Sequence, residues 1–279
     1  DCKLTSVLRY FLTILLFGAV MENFTERFNI FCKEVCEENR FFYSQESNCF
    51  LNDFYEALTA DSKKFVQNIP SGSTFYRARS HVYSSIDNAY KKEPFNCDEM
   101  KPVPNIRSSG RLNAYNVNAL YLASDKGTAI SEVRANAEAP ISVAQFKTNK
   151  ELKIARFDYI SDVDDWYSLY FPKFTYFLAH RFSLPLDAPE HQAREYIPTQ
   201  IISEFLKSKG IDGIEYPSQF ISSDKEHIEG KSADELLKTE QQFNLCLFDI
   251  TTADCIPESI EVQQLSKRIN IISKFKGSN

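Results

Sequence analysis

Pro70-Ser71-Gly72-Ser73-Thr74-Phe75-Tyr76-Arg77-Ala78 is the stretch where the chain changes character. Upstream of it, Phe50, Phe54, Leu58, Phe65 and Ile69 recur at intervals of mostly four and seven residues, which gathers apolar side chains on one face of a helix. Pro70 and Gly72 close that pattern. Thr74 to Ala78 then starts a strand. Residues 1–72 are therefore expected to form a small helical region, and residues 73–279 a unit of mixed composition.

Downstream, Tyr90 to Ser109 reads as a loop rich in Pro, Asn and Ser, and Ala119 to Ala123 as a short buried strand. Thr128 to Ala137 carries Ala129, Val133 and Ala137 at i, i+4, i+8, the stripe of a helix. Ile141 to Phe146 and Leu152 to Phe157 read as strands, and Val163 to Phe182 as an aromatic helix interrupted near Pro172. A helix from about Glu190 to Lys209 ends at Gly210, which suits a left-handed cap. Ile211 to Tyr216, Phe243 to Ile250 and Ile260 to Leu265 read as strands, with a polar insertion from Ser222 to Gln241. A helical preface followed by interspersed helices and strands gives an α+β fold.

The composition of the 279 residues bounds the function. Apolar residues at 43% and charged residues at 25% exclude global disorder. Lys plus Arg is 32 against 38 for Asp plus Glu, a net charge of −6 that argues against a protein tracking nucleic-acid phosphates. A few arginines can still converge on a small anion. The aromatic share of 14%, with 23 Phe and 14 Tyr, reads chiefly as core. The apolar run from Tyr10 to Met21 is shorter than the roughly 20 residues that span a bilayer and reads as a buried helix. The seven cysteines, irregularly spread, read as reduced thiols of a cytoplasmic protein.

Several familiar sites are missing. There is no G-x-G-x-x-G, and Gly230-Lys231-Ser232 lacks the upstream glycine of a phosphate loop, since position 225 is Lys225. His81, His180, His191 and His227 show no paired ligand spacing. Cys32, Cys36 and Cys49, with Cys2 as a distant fourth, could supply thiolates to zinc, while Cys32 and Cys36 serve equally well as an i, i+4 packing pair. Arg77 and His81 are one helical turn apart but lie in a strand-like segment, which disfavours a helical ribonuclease motif.

Polar residues nevertheless stand at abrupt points in apolar surroundings. Arg77 lies inside an aromatic strand start, either as an edge residue reaching water or as an anion ligand. Arg111 follows Gly110 in a loop, where its fork can grip a phosphate with two bonds. Glu132 borders the buried stripe of its helix, a costly place for a carboxylate unless it is paired or used. Ser218 follows Pro217 where a strand must turn.

Six fragments occur in order: F-Y-R-A-R, G-R-L-N, L-Y-L-A-S-D-x-x-T-A-I-S-E-V-R, Y-I-P-T-Q-I-I-S-E-F, G-I-D-G-I-E-Y-P-S and N-L-C-L-F-D. Together, over roughly Thr74 to Ile250, they resemble the RES-domain family, named for its Arg, Glu and Ser. The namesakes fall on Arg77, Glu132 and Ser218, with Arg111, Asn113 and Tyr121 as further pocket residues. The family's G-R-x-N-x-x-G usually closes with glycine, whereas this chain has Asn116, the next most tolerant residue for a left-handed turn.

The resemblance implies an ADP-ribosyltransferase-like mixed β core with helices. It also implies a cytoplasmic toxin that consumes NAD as substrate, with no resident cofactor and no metal. The implied reaction breaks the nicotinamide–ribose bond, as NAD glycohydrolase or NAD phosphorylase with water or inorganic phosphate as acceptor. A protein ADP-ribosyltransferase and a non-catalytic NAD-binding scaffold are the alternatives. The implied protein partner is a helix-turn-helix antitoxin or another inhibitory protein; a homo-oligomer is left open, and no membrane or direct nucleic-acid partner is expected. Nicotinamide leaves as a neutral base, so a motif set without histidine suffices. In that scheme Glu132 stabilises the oxocarbenium-like ribose, Arg77 and Arg111 hold the pyrophosphate, Tyr121 offers a ring face, and Ser218 hydrogen-bonds the ribose or carboxamide and helps hold Glu132.

Overall fold

A computed structural model describes residues 24–60, 65–90, 93–102, 109–135, 138–157, 170–183, 194–218 and 242–264. The apolar run Tyr10 to Met21, Cys2, Ala137, His191, His227 and the insertion Ser222 to Gln241 lie outside them, as do the first parts of the helices expected from Val163 and Glu190.

The described helical preface consists of α1 (Phe24–Lys33), which runs into a π-helical turn (Glu34–Glu38), and α2 (Gln45–Ala60). The expected helical periodicity fails at its end: Val66–Ile69 is a strand, β1. A strand of four residues is too short to show alternation, and Phe65 and Ile69 happen to keep the helical interval. Next come β2 (Thr74–Ser80), a small hairpin β3 (Tyr83–Ser84) and β4 (Ala89–Tyr90), and a short helix α3 (Cys97–Met100) inside the expected loop. After β5 (Leu120–Ala123), α4 (Lys126–Val133) stops sooner than its stripe suggests, because Arg134 adopts a left-handed conformation, φ 48°, and caps it. The chain continues through β6 (Pro140–Thr148), β7 (Leu152–Arg156), α5 (Tyr170–Ser183), α6 (Ile197–Ser208), β8 (Gly213–Pro217), β9 (Phe243–Leu247), β10 (Ala253–Cys255) and β11 (Glu261–Gln264). Pro172 stands in the first turn of α5, where a missing N–H costs nothing. Gly210, at φ 82°, follows α6 as expected.

The main sheet runs β1-β7-β8-β9-β5-β2-β6-β10, with β11 also on β6. All its described pairs are antiparallel except β7–β8, whose parallel register needs the crossover made by α5 and α6. Ile69 at one edge and Ala253 at the other enter the same apolar cluster, so the sheet curls round it. The opposite face of β1, β7, β8 and β9 meets the helices, and there the phenylalanines gather: Phe24, Phe28, Phe50, Phe54 and Phe174 form a mesh of ring contacts. The described helices of the preface thus share one core with α5 and α6. The fold is α+β.

One expectation about cysteine is corrected. Cys97 and Cys255 form a disulfide, with Cα atoms 5.5 Å apart, joining α3 to β10. The partners are 158 residues apart in sequence, and no local pattern could have paired them. Cys32, Cys36, Cys49 and Cys246 are free. Cys36 bonds the Arg194 carbonyl and Cys49 is exposed; among the described residues no group of His, Cys, Asp and Glu converges as a metal site. No described helix is long and apolar enough to cross a membrane.

Candidate active site

The site grows from a defect in the sheet. β2 pairs with β6 along all seven residues, but with β5 only at Tyr76↔Ala123. Beyond that pair the two strands part, and the Arg77 side chain bridges the split, its Nη1 donating to the Tyr121 carbonyl at 2.9 Å. Its Nε is buried with no partner among the described residues. Burial, with the like charge of Arg79 second, lowers the Arg77 pKa from 12.5 to about 10. A buried guanidinium with an open donor is a receptor for an anion.

The split opens into a cavity of about 390 Å³. α4 forms one wall. Asp125 caps that helix through the Thr128 N–H at 2.9 Å, which places Ala129 and Glu132 on the cavity side. Glu132 Oε1 accepts from Ser218 Oγ at 2.8 Å and from Asn244 Nδ2 at 2.6 Å. Its Oε2 carries no bond among the described residues. Ser218 is itself anchored by its N–H on the Gln242 carbonyl.

The second wall is the loop Gly110 to Asn113. Tyr121 donates its hydroxyl to Asn113 Oδ1 at 2.8 Å and accepts from the Leu112 N–H at 3.1 Å. Asn113 Nδ2 donates to the Val117 carbonyl at 2.8 Å. Gly110 must be glycine here: a Cβ would stand 2.3 Å from Asn113 Oδ1 and 2.5 Å from the Tyr121 hydroxyl. Asn116 is left-handed at φ 69°, so asparagine takes the place of the family's glycine. From outside, α6 clamps this loop. Gln200 Nε2 donates to the Gly110 carbonyl at 2.7 Å, and Thr199 Oγ1 to the Arg111 carbonyl at 2.5 Å. Arg111 Nη1 donates to the Phe182 carbonyl at 2.8 Å, at the C-terminal end of α5, where the helix dipole favours a cation.

Arg77, Arg111, Tyr121 and Glu132 therefore line one cavity, and Ser218 stands behind Glu132. Asn113, expected among the substrate-binding residues, is not on the cavity wall; its amide holds the loop. The sequence reading gave no role to Tyr76, Arg134, Tyr196, Tyr216 and Asn244, which also line the space. Asn244 was legible in principle, as the lone polar residue opening an apolar strand. The Glu of G-I-E-Y-P-S is elsewhere: Glu215 pairs with Arg156 at 3.1 Å and with Gln67 at 3.0 Å.

The electrostatics are simple. Among the described lining residues, three arginines face one carboxylate, and there is no histidine. Burial pushes the Tyr121 and Tyr216 phenols well up, and raises the Cys246 thiol behind them to about 12. These groups stay neutral at physiological pH, leaving Glu132 as the anionic group against an excess of positive charge.

A family profile for the RES domain matches residues 74–266. The chain belongs to the RES-domain family. The match begins at β2 and spans every element of the cavity described above; α1 and α2 lie upstream of it. Among solved structures, the RES chain is similar to one in the crystal structure of the M. tuberculosis MbcT–MbcA toxin–antitoxin complex, at 12% identity and a TM-score of 0.35. That alignment covers 77% of this chain and 89% of the other. No curated protein matches this chain in sequence.

Proposed function

We propose that this RES-domain protein is an NAD-consuming, toxin-like enzyme that breaks the bond between nicotinamide and ribose. The observation that carries this reading is Glu132, fixed through one oxygen by Ser218 and Asn244, in a cavity whose other charges are Arg77, Arg111 and Arg134. That charge pattern suits a pyrophosphate beside a sugar that becomes cationic. Because nicotinamide departs neutral from a pyridinium, bond cleavage needs no proton donor, and a cavity whose buried phenols stay protonated is adequate. Glu132 Oε2 stabilises the oxocarbenium-like ribose, electrostatically and through a ribose hydroxyl. Arg77 Nε and the Arg111 fork bind the diphosphate, and the half-buried Tyr121 ring flanks the base. NAD is the consumed substrate. A helix-turn-helix antitoxin or another inhibitory protein belongs to this reading as the protein partner.

Incubation with NAD, with and without inorganic phosphate, tests this. Free ADP-ribose identifies hydrolysis, and a phosphorylated ADP-ribose product identifies phosphorolysis. ADP-ribose attached to protein identifies the transferase alternative. Absence of free nicotinamide under all these conditions overturns the proposal.

A further inference from the structure

A second cavity, of about 540 Å³, adjoins the first. Ser109 lines both, and Gln200, which lines the second, donates to Ser109 Oγ at 2.9 Å as well as to the Gly110 carbonyl. The far wall comes from the turn after the π-helical segment, with Arg40 and Phe41. Tyr115, from the loop that also presents Arg111, and Glu204, from α6, complete it. Phe41 is 80% exposed and Tyr115 55%, so two aromatic rings stand open at a cavity already bounded by a cation and an anion.

Size favours a second cavity. Pockets for drug-sized ligands run roughly 300–1,000 Å³, and 390 Å³ is near the bottom of that range. A dinucleotide carries two nucleosides on its diphosphate, so it is a large ligand for a cavity of about 390 Å³. The rest of the molecule needs further room, and the second cavity lies next to the first, with Ser109 on the wall of both.

Resting on the reading of NAD as the bound dinucleotide, we propose that the second cavity is an adenosine subsite built in part by the N-terminal helical region. The chemistry suits adenine. Phe41 and Tyr115 offer ring faces for stacking, which every base can use. The Glu204 carboxylate accepts from the exocyclic amine, and the Arg40 guanidinium donates to ring nitrogens. Arg40 and Phe41 precede the residues matched by the family profile, so this half of the subsite belongs to this chain's own preface.

Calorimetry with AMP and with nicotinamide mononucleotide, on wild type, Phe41→Ala and Tyr115→Ala, tests the assignment. Both side chains are exposed, so the variants should fold. AMP affinity should fall about tenfold in each variant, the size of losing one stacking partner, while affinity for the mononucleotide stays within twofold. No AMP binding to wild type, unchanged AMP affinity in the variants, or equal losses for both ligands would overturn the subsite. Nicotinamide release from NAD by wild type is read separately. If AMP binds as expected but NAD is left intact, the reaction is wrong and the adenosine subsite stands.

Discussion

The Ser218 hydroxyl lies 2.8 Å from Glu132 Oε1, across 86 residues of chain. Asn244 reaches the same oxygen from the neighbouring strand β9. Two donors on one carboxylate oxygen fix the rotation of the group and leave the other oxygen for a ligand. The arrangement uses three elements, α4, β9 and the end of β8, so the position of Oε2 depends on the sheet rather than on one flexible side chain.

Glu132→Gln keeps both of those bonds, because a side-chain amide oxygen accepts as a carboxylate does, but it removes the charge. Nicotinamide release should fall by about 10²–10³-fold, the cost of one preorganised electrostatic stabiliser, while NAD affinity changes only a few-fold. Single-turnover release and calorimetry measure the two. A turnover rate close to wild type would take Glu132 out of the chemistry.

Asn244 acts through Glu132, and the pH dependence of turnover reads that role. Asn244→Ala should lower kcat by about tenfold with little change in KM, as expected for a lost positioning bond. Asn244→Asp should be worse than alanine. It sets a second carboxylate against Glu132, so the acid limb of the kcat profile should move to higher pH. Identical profiles for the alanine and aspartate variants would reduce Asn244 to a packing residue.

The legibility of this site follows from distance along the chain. Glu132 and Arg77 were readable because a charge interrupts a local apolar pattern, and local patterns are what a sequence displays. The α+β order was readable for the same reason, through the change at Pro70 to Thr74. The loop-holding role of Asn113 was not legible, because a polar loop residue looks alike whether it faces a ligand or staples its own loop to Tyr121. Long-range partners were out of reach: β1 on β7, Cys97 with Cys255, and Asn244 on Glu132 have no local signature. The second cavity was hidden similarly, since its walls come from three distant segments.

Arg77 tests whether the split in the sheet is a binding feature. Arg77→Ala should weaken NAD or ADP-ribose binding by about 10–100-fold, the range for a charged hydrogen bond in a buried site. Arg77→Lys should recover little, since an ammonium cannot hold the Tyr121 carbonyl and an anion with one planar fork. Calorimetry that showed unchanged affinity for the alanine variant would make Arg77 a purely structural plug.

Asp125 gives the helix bearing Glu132 an acid-sensitive cap. Burial alone would raise its carboxyl pKa, but bonds from Thr128 Oγ1, the Thr128 N–H and Ser124 Oγ outweigh it and hold the group below the ordinary value of 3.8. A depressed folded pKa means stability that is present above 3.8 and lost as pH falls through the folded value. Asp125→Ala should therefore cost about 1 kcal/mol near neutral pH, and the gap to wild type should close in strong acid. Denaturant titrations at the two extremes would show this; a gap independent of pH would mean that the carboxylate charge contributes nothing.

Gly110 links loop geometry to binding. An alanine methyl there would meet Asn113 Oδ1 and the Tyr121 hydroxyl at distances no real Cβ tolerates. Neither neighbour can simply swing away, because Asn113 is also held by the Val117 carbonyl and Tyr121 is held by the Leu112 N–H. The loop itself must move, and Arg111 moves with it, out of register with the Phe182 carbonyl. Gly110→Ala should destabilise the fold by about 1–3 kcal/mol, the usual cost of overpacking, and raise the KM for NAD more than it lowers kcat, since Glu132 is held by other elements. Thermal unfolding and steady-state kinetics on the same preparation separate the two effects. A variant with wild-type KM would show that Arg111 reaches its ligand without the Gly110–Tyr121 contact.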